Sequence, residues 1–118
     1  MTTSEIATVL AWHDALNEQD LDTLVKLSSD DIEIGDAQGA AQGHAALREW
    51  AQNWAGTVTV GRLYVHDGVV VAEQTLDDGT VSASAFRVVH DHVTSVFRHP
   101  DLAAALEATD LTEDDLDA

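Results

Sequence analysis

The run from Trp12 to Trp50, WHDALNEQDLDTLVKLSSDDIEIGDAQGAAQGHAALREW, constrains the fold more than any other stretch, because its spacing orders two short helices, a strand, a glycine-bearing turn and a third helix. Ile6, Val9, Leu10, His13 and Leu16 recur at steps of three and four, which predicts a first helix over residues 4–17 with Ser4 as its N-cap. Asp20 caps a second helix carrying Leu21, Leu24 and Val25 on one side, and SSDD ends it. Ile32 and Ile34 alternate with charged or small neighbours as a short strand. GDAQGAAQG, residues 35–43, reads as a turn or loop. Leu47, Trp50, Ala51 and Trp54 then give the clearest helical stripe, predicting a third helix over residues 44–55 with both indoles facing inward.

From Thr57 the period drops to two. Asp67-Gly68 and Asp78-Gly79 separate β-branched runs as hairpin turns, so an antiparallel meander is expected with strands over residues 57–66, 69–76, 80–89 and 93–98 and a bulge at Gly61. In the third of these strands Ser84, Phe86 and Val88 face one way, and Val81, Ala83, Ala85 and Val89 the other. Both faces are apolar enough to be buried. One lines the interior; the other calls for a partner, which predicts a homodimer through the outer sheet face. Pro100 starts a last short helix over residues 102–106, and the end of the chain, residues 109–118, reads as a solvated acidic tail or frayed turn.

A length of 118 residues is that of one domain. Its 22 acidic residues stand against 5 basic ones, a net charge of −17, which repels phosphate backbones and anionic lipid and argues against nucleic-acid and membrane partners. The acids are spread along the chain, and Lys26 is the only lysine. This pattern suits a surface adapted to molar salt. Cysteine is absent, which excludes disulfides and thiolate chemistry. The polar start and the lack of a long apolar run make a cytoplasmic address the expectation.

In its order of elements, over about residues 6–97, the chain resembles the NTF2-like superfamily, in particular the SnoaL-like and ketosteroid-isomerase-like members. The resemblance implies an α+β cone in which three N-terminal helices pack on a curved antiparallel sheet, with a short C-terminal helix and one open, ligand-sized mouth. DDIEIGDAQG, residues 30–39, is similar to the isomerase pattern in which a strand, a carboxylate pair and a Gly turn deliver the general base, and that match makes Asp36 the base. An Asp in a Gly-rich turn that bonds its own backbone explains the same letters. The oxyanion donors of the isomerases fall by the same resemblance on Trp12 and, through the AFRV run, on Ser84. Neither is an acidic donor, so steroid isomerisation itself is not expected.

His13 lies on the stripe of the first helix, placed to act as acid, base or ligand-orienting donor; a neutral core histidine satisfied by a carbonyl or hydroxyl is the plainer reading. Trp50, Trp54, Tyr64, Phe86 and Phe97 are the aromatic stock for a pocket wall, with Val88 beside them, and each is equally suited to ordinary core. The His90-x-His92 pair hints at metal but has no third ligand at a defined spacing, so neither a metal nor a cofactor is expected. Two functions follow. One is a small-molecule enzyme of the SnoaL-like kind, moving a proton on an apolar carbonyl compound with Asp36 as base. The other is a non-catalytic ligand-binding or dimerisation module on the same fold.

Overall fold

The change of hydrophobic period at Thr57 divides an α+β structure into a helical half and a meander. The computed structural model describes residues 4–36, 39–54 and 56–116, with the backbone but not the side chain of Asp36. Helix α1 (Ser4–Glu18) and helix α2 (Leu21–Lys26) precede strands β1 (Ser28–Asp36) and β2 (Gly39–Gln42), and helix α3 (His44–Gln52) follows. Strands β3 (Val58–His66), β4 (Val69–Leu76), β5 (Val81–Val89) and β6 (His92–His99) form the meander. Helix α4 (Leu102–Thr109) and a 3-10 turn (Glu113–Asp115) complete the described chain.

All six strands belong to one curved open sheet in the order β2-β1-β6-β5-β4-β3. The pairs are antiparallel except β1 with β6, which run parallel, so the helical half enters the sheet beside its last strand. The 35–43 segment, expected as a loop, instead ends β1 and forms the edge strand β2, with Glu33 opposite Gln42 and Asp36 opposite Gly39. Gly35 makes that pairing feasible. A Cβ there would sit 2.7 Å from the Gly39 carbonyl oxygen and 2.9 Å from Phe97, closer than side chains tolerate. The predicted bulge at Gly61 appears as a register shift between Val60 and Leu63.

The main core lies between the helices and the inner sheet face, where Ile6, Val9, Trp12, Leu16, Leu24, Ile32, Leu47, Val70, Phe86 and Val96 pack. Burial on α1 is wider than the predicted stripe: Trp12 is 1% exposed, whereas Leu10 is 37% exposed because it lies at the edge of the arc centred on Val9, Trp12 and Leu16. Asp20 caps α2 as predicted, accepting from the Thr23 amide and, at 2.7 Å, from the Thr23 hydroxyl. These bonds hold its carboxyl below the usual carboxylate range. Helix α3 stops at Gln52 with Asn53 as its C-cap, so Trp54 lies beyond the helix expected to carry it and Ala55 is outside the described residues.

A second, smaller core lies on the opposite sheet face, where Tyr64, Val71 and Ala83 pack under Ala105 and Leu111. Helix α4 is capped by Asp101, which accepts from the Ala104 amide at 2.8 Å; Pro100 precedes the cap and does not open the helix. The outer face is thus covered in part by the chain's own C-terminal helix. Much of the acidic end is ordered against the sheet as well. Thr112 and Asp115 form a reciprocal capping box, and Leu116 bridges to Tyr64.

Candidate functional site

Alternation along the strands sorts the predicted residues into rows. Val65, Val70, Phe86 and Val96 form one row of the inner face across β3, β4, β5 and β6, and Leu63, Ala72, Ser84 and Arg98 form the inner row two residues on. Between them runs the outer row Tyr64, Val71, Ala85 and Phe97. Tyr64 and Phe97, expected in the pocket wall, therefore lie on the wrong side of the sheet, because each is one residue out of phase with the inner face. Tyr64 belongs to the core under α4, its hydroxyl 3.4 Å from Glu113. Phe97 lines a separate outer-face concavity with Val69, Ala85 and Pro100.

Deep in the cone the polar groups form closed chains. The Trp12 indole N–H donates to the Ser28 hydroxyl at 3.1 Å, and Ser28 donates onward to the Leu24 carbonyl at 2.8 Å. His13 Nδ1 lies 2.8 Å from the Val9 carbonyl, which fixes the proton on Nδ1 and leaves Nε2 to accept from the Gln74 amide, also at 2.8 Å. Gln74 Oε1 in turn accepts from the Ser84 hydroxyl at 2.8 Å. Each partner orients the next, so both imidazole nitrogens are occupied. Burial pushes the His13 pKa below its ordinary value of 6.5, against smaller opposing effects of the Val9 carbonyl and of Asp14. Rings fill the space around this chain: Phe86 stands edge-on 5.4 Å from Trp12 and lies 5.2 Å from His13. Val88 is buried on the same face.

Toward the mouth the packing opens. Trp50 lies 5.7 Å from Trp12, and Trp54 lies 5.0 Å beyond Trp50, so the aromatic row leads outward from the core. The Arg98 guanidinium sits 5.0 Å over the Trp54 ring, and its Nη2 donates to the Ser82 hydroxyl at 3.5 Å. Two clefts meet there. One, of about 370 Å³, is lined by Ala41, Glu49, Trp50, Asn53, Trp54 and Arg98. The other, of about 410 Å³, is lined by Ile34, Gly35, Gly39, Ala41, Trp50 and Arg98. Asp36 ends β1 between Gly35 and the β2 hairpin, at the edge of this second cleft; the direction of its carboxylate lies outside the described residues.

Of the predicted residues, the structure brings Trp12, His13, Ser84, Phe86 and Val88 together in the interior and Trp50 and Trp54 at the mouth. Gln74 and Arg98 are site residues that the sequence reading does not single out. Both are legible in the alternation: Val70 and Ala72 put Gln74 inward, and the phase that sends Phe97 outward sends Arg98 inward. His90 and His92 sit at a turn, where the His92 ring contacts the His90 carbonyl at 2.8 Å. Among the described residues no three metal-ligating side chains come together.

Helices α1, α2 and α3 packed on the inner face of one curved six-stranded sheet, with α4 on the other, give the NTF2-like α+β fold. The chain belongs to the SnoaL-like domain family, whose model matches residues 9–108. No curated protein matches it. Among solved structures, a candidate ketosteroid isomerase from Kribbella flavida is 24% identical, with 80% of this chain and 76% of that one covered and a TM-score of 0.70. An epoxide hydrolase of the LEH-like kind from M. tuberculosis is 19% identical over 90% of this chain and 84% of that one, at a TM-score of 0.72. TerC, co-crystallised with polyporic acid, is 15% identical over 89% and 97%, at 0.70. At these identities the likenesses establish the fold.

Proposed function

We propose that this chain binds a small, flat, apolar molecule at the mouth of its cone and that Asp36 acts there as the base of a proton transfer of the isomerase or cyclase type. The observation that carries the reading is the pair of clefts meeting at Trp50 and Arg98, one of them bordered by Gly35 and Gly39 on either side of position 36. The family match and the small molecule held by TerC support it. A carboxylate beside apolar walls has its pKa raised toward a useful value, and proton abstraction next to a carbonyl needs no metal.

The test is turnover of a panel of carbonyl compounds by wild type and Asp36→Asn. Loss of about 10²- to 10⁴-fold in rate with ligand affinity kept supports the base assignment. Equal rates sink it. A second reading, binding without turnover, is favoured by one observation: Trp12 and His13, the groups expected to orient a substrate, are already bonded within the protein. Its mark is saturable tryptophan quenching with no product at any pH.

The described residues include no helix long and apolar enough to cross a membrane. We propose that the chain works in high salt, on the strength of its net charge of −17, and a cytoplasmic address is part of the same proposal. Far-UV circular dichroism that strengthens as KCl rises from dilute buffer is the expected result, and full folding without salt would contradict it. A homodimer through the outer face left free by α4, around Val69, Ala85 and Phe97, is the matching proposal for assembly. Light scattering showing a monomer in molar KCl would remove it.

A further inference from the structure

The mouth holds hydrogen-bond donors that have nothing to donate to. Three buried side-chain polar atoms among the described residues lack a partner, and two of them, Trp54 Nε1 and Arg98 Nε, belong to the side chains that wall the same cleft. Among the described residues Arg98 is also without a counter-ion. Arg48 lies 3.1 Å from Asp22 and Arg62 lies 3.6 Å from Glu73, but no carboxylate among the described residues comes within ion-pair distance of Arg98. Its one side-chain acceptor among the described residues is Ser82, at the long distance of 3.5 Å, and the cation also rests on the Trp54 ring. In a chain with 22 acidic residues, this cation on the inner sheet face has no carboxylate partner among the described residues.

A guanidinium presents its N–H groups in a planar fork that matches the two oxygens of a carboxylate. Beside it, the tilted indoles of Trp50 and Trp54, 5.0 Å apart, offer flat apolar surface. We propose that the mouth selects planar monocarboxylates, the carboxylate engaging Arg98 and the unsaturated or aromatic body lying against Trp50 and Trp54. This rests on the mouth being the ligand site, and it adds one carboxylate to the flat apolar body of that reading. The net charge of the chain does not forbid it. Repulsion from distant surface acids is screened beyond about 8 Å at physiological ionic strength and about 3 Å in molar salt, whereas the Arg98 contact acts at bonding distance in a partly desolvated cleft. Glu49, on the rim of the cleft, disfavours a second negative charge at that end of the ligand.

The experiment uses the full chain in molar KCl and titrates two near-isosteric probes, trans-cinnamate and trans-cinnamamide, read by tryptophan quenching and by ligand-observed NMR. The proposal expects cinnamate to bind about tenfold more tightly than the amide, a difference of the size charge-assisted hydrogen bonds supply. Arg98→Gln should abolish the preference, and Arg98→Lys, which keeps the charge and loses the fork, should keep only part of it. Equal binding of acid and amide overturns the carboxylate assignment while leaving the mouth as a ligand site. No binding of either probe at millimolar concentration overturns both. If Arg98→Gln does not fold, Arg98→Lys decides: an acid-to-amide ratio equal to that of wild type overturns the proposal, and a reduced ratio supports it.

Discussion

The interior of the cone and its mouth are built from similar residues and use them in opposite ways. Inside, the Trp12 indole, the His13 imidazole, the Gln74 amide and the Ser84 hydroxyl each find a partner within the protein. At the mouth, the Trp54 indole N–H and the Arg98 Nε find none, although both atoms are buried. An unsatisfied buried donor costs about 1–3 kcal/mol, so two beside one cleft are expensive to retain unless something else uses the cleft. The contrast teaches which aromatic and polar groups to regard as structure. A bonded chain rigidifies a core, while unbonded buried donors on side chains that wall a cleft point to where a ligand could complete the set.

The comparison breaks most readily through the interior. Trp12 is buried against His13, Trp50 and Phe86, and Trp12→Ala removes those contacts and leaves the Ser28 hydroxyl without its donor. A loss of about 3–5 kcal/mol is expected, a large share of the stability of a domain this size. Denaturant midpoints in molar KCl measure it. Gln74→Leu keeps the volume but orphans His13 Nε2 and the Ser84 hydroxyl, and should cost about 1–3 kcal/mol. If Gln74→Leu is neutral, the interior chain of hydrogen bonds does not stabilise the fold.

The same chain gives the fold a pH dependence. Burial lowers the His13 pKa, so folded His13 stays neutral at a pH where the unfolded chain, at the ordinary value of 6.5, has begun to take up a proton. The unfolded state then binds more protons. Stability is complete above 6.5 and falls as the pH drops below it, by up to about 1.4 kcal/mol per pH unit, until the folded form protonates as well. Denaturation of wild type and His13→Gln at pH values on both sides of 6.5 isolates this contribution, since the variant should lose that part of the slope. Equal slopes would mean that His13 is not held neutral.

Much of the architecture is legible in local spacing. The helix stripes, the capping Asp20 and the two Asp-Gly turns locate most elements, and the change of period at Thr57 marks the passage from helices to meander. Two features are hidden for physical reasons. Residues 39–42 are exposed along the whole of β2, so they carry no inside-outside alternation, and only pairing with β1 makes them a strand. Tyr64 and Phe97 suit a pocket wall by aromatic character alone, but α4 and the 3-10 turn give the outer face a core of its own. What separates interior from mouth is bond satisfaction, which depends on side chains up to 61 residues apart, such as His13 and Gln74, and no local pattern records it.

The smallest predicted change in stability is also the sharpest test of the comparison. Trp54 lies past the end of α3, its indole N–H is unpaired, and its ring supports the Arg98 guanidinium. Trp54→Phe removes the unpaired donor and part of the ring while keeping an aromatic surface, so stability should change by less than about 1 kcal/mol. Were Trp54 simply another member of the interior cluster, the same substitution should cost about as much as trimming a packed core side chain, on the order of 1–3 kcal/mol. Ligand response should move the other way. Quenching of the remaining indoles by a bound planar acid should weaken, because one face of the cleft is reduced and one donor is gone. A variant of native stability with impaired binding places Trp54 in the mouth by function as well as geometry; a destabilised variant with unchanged binding returns it to the core.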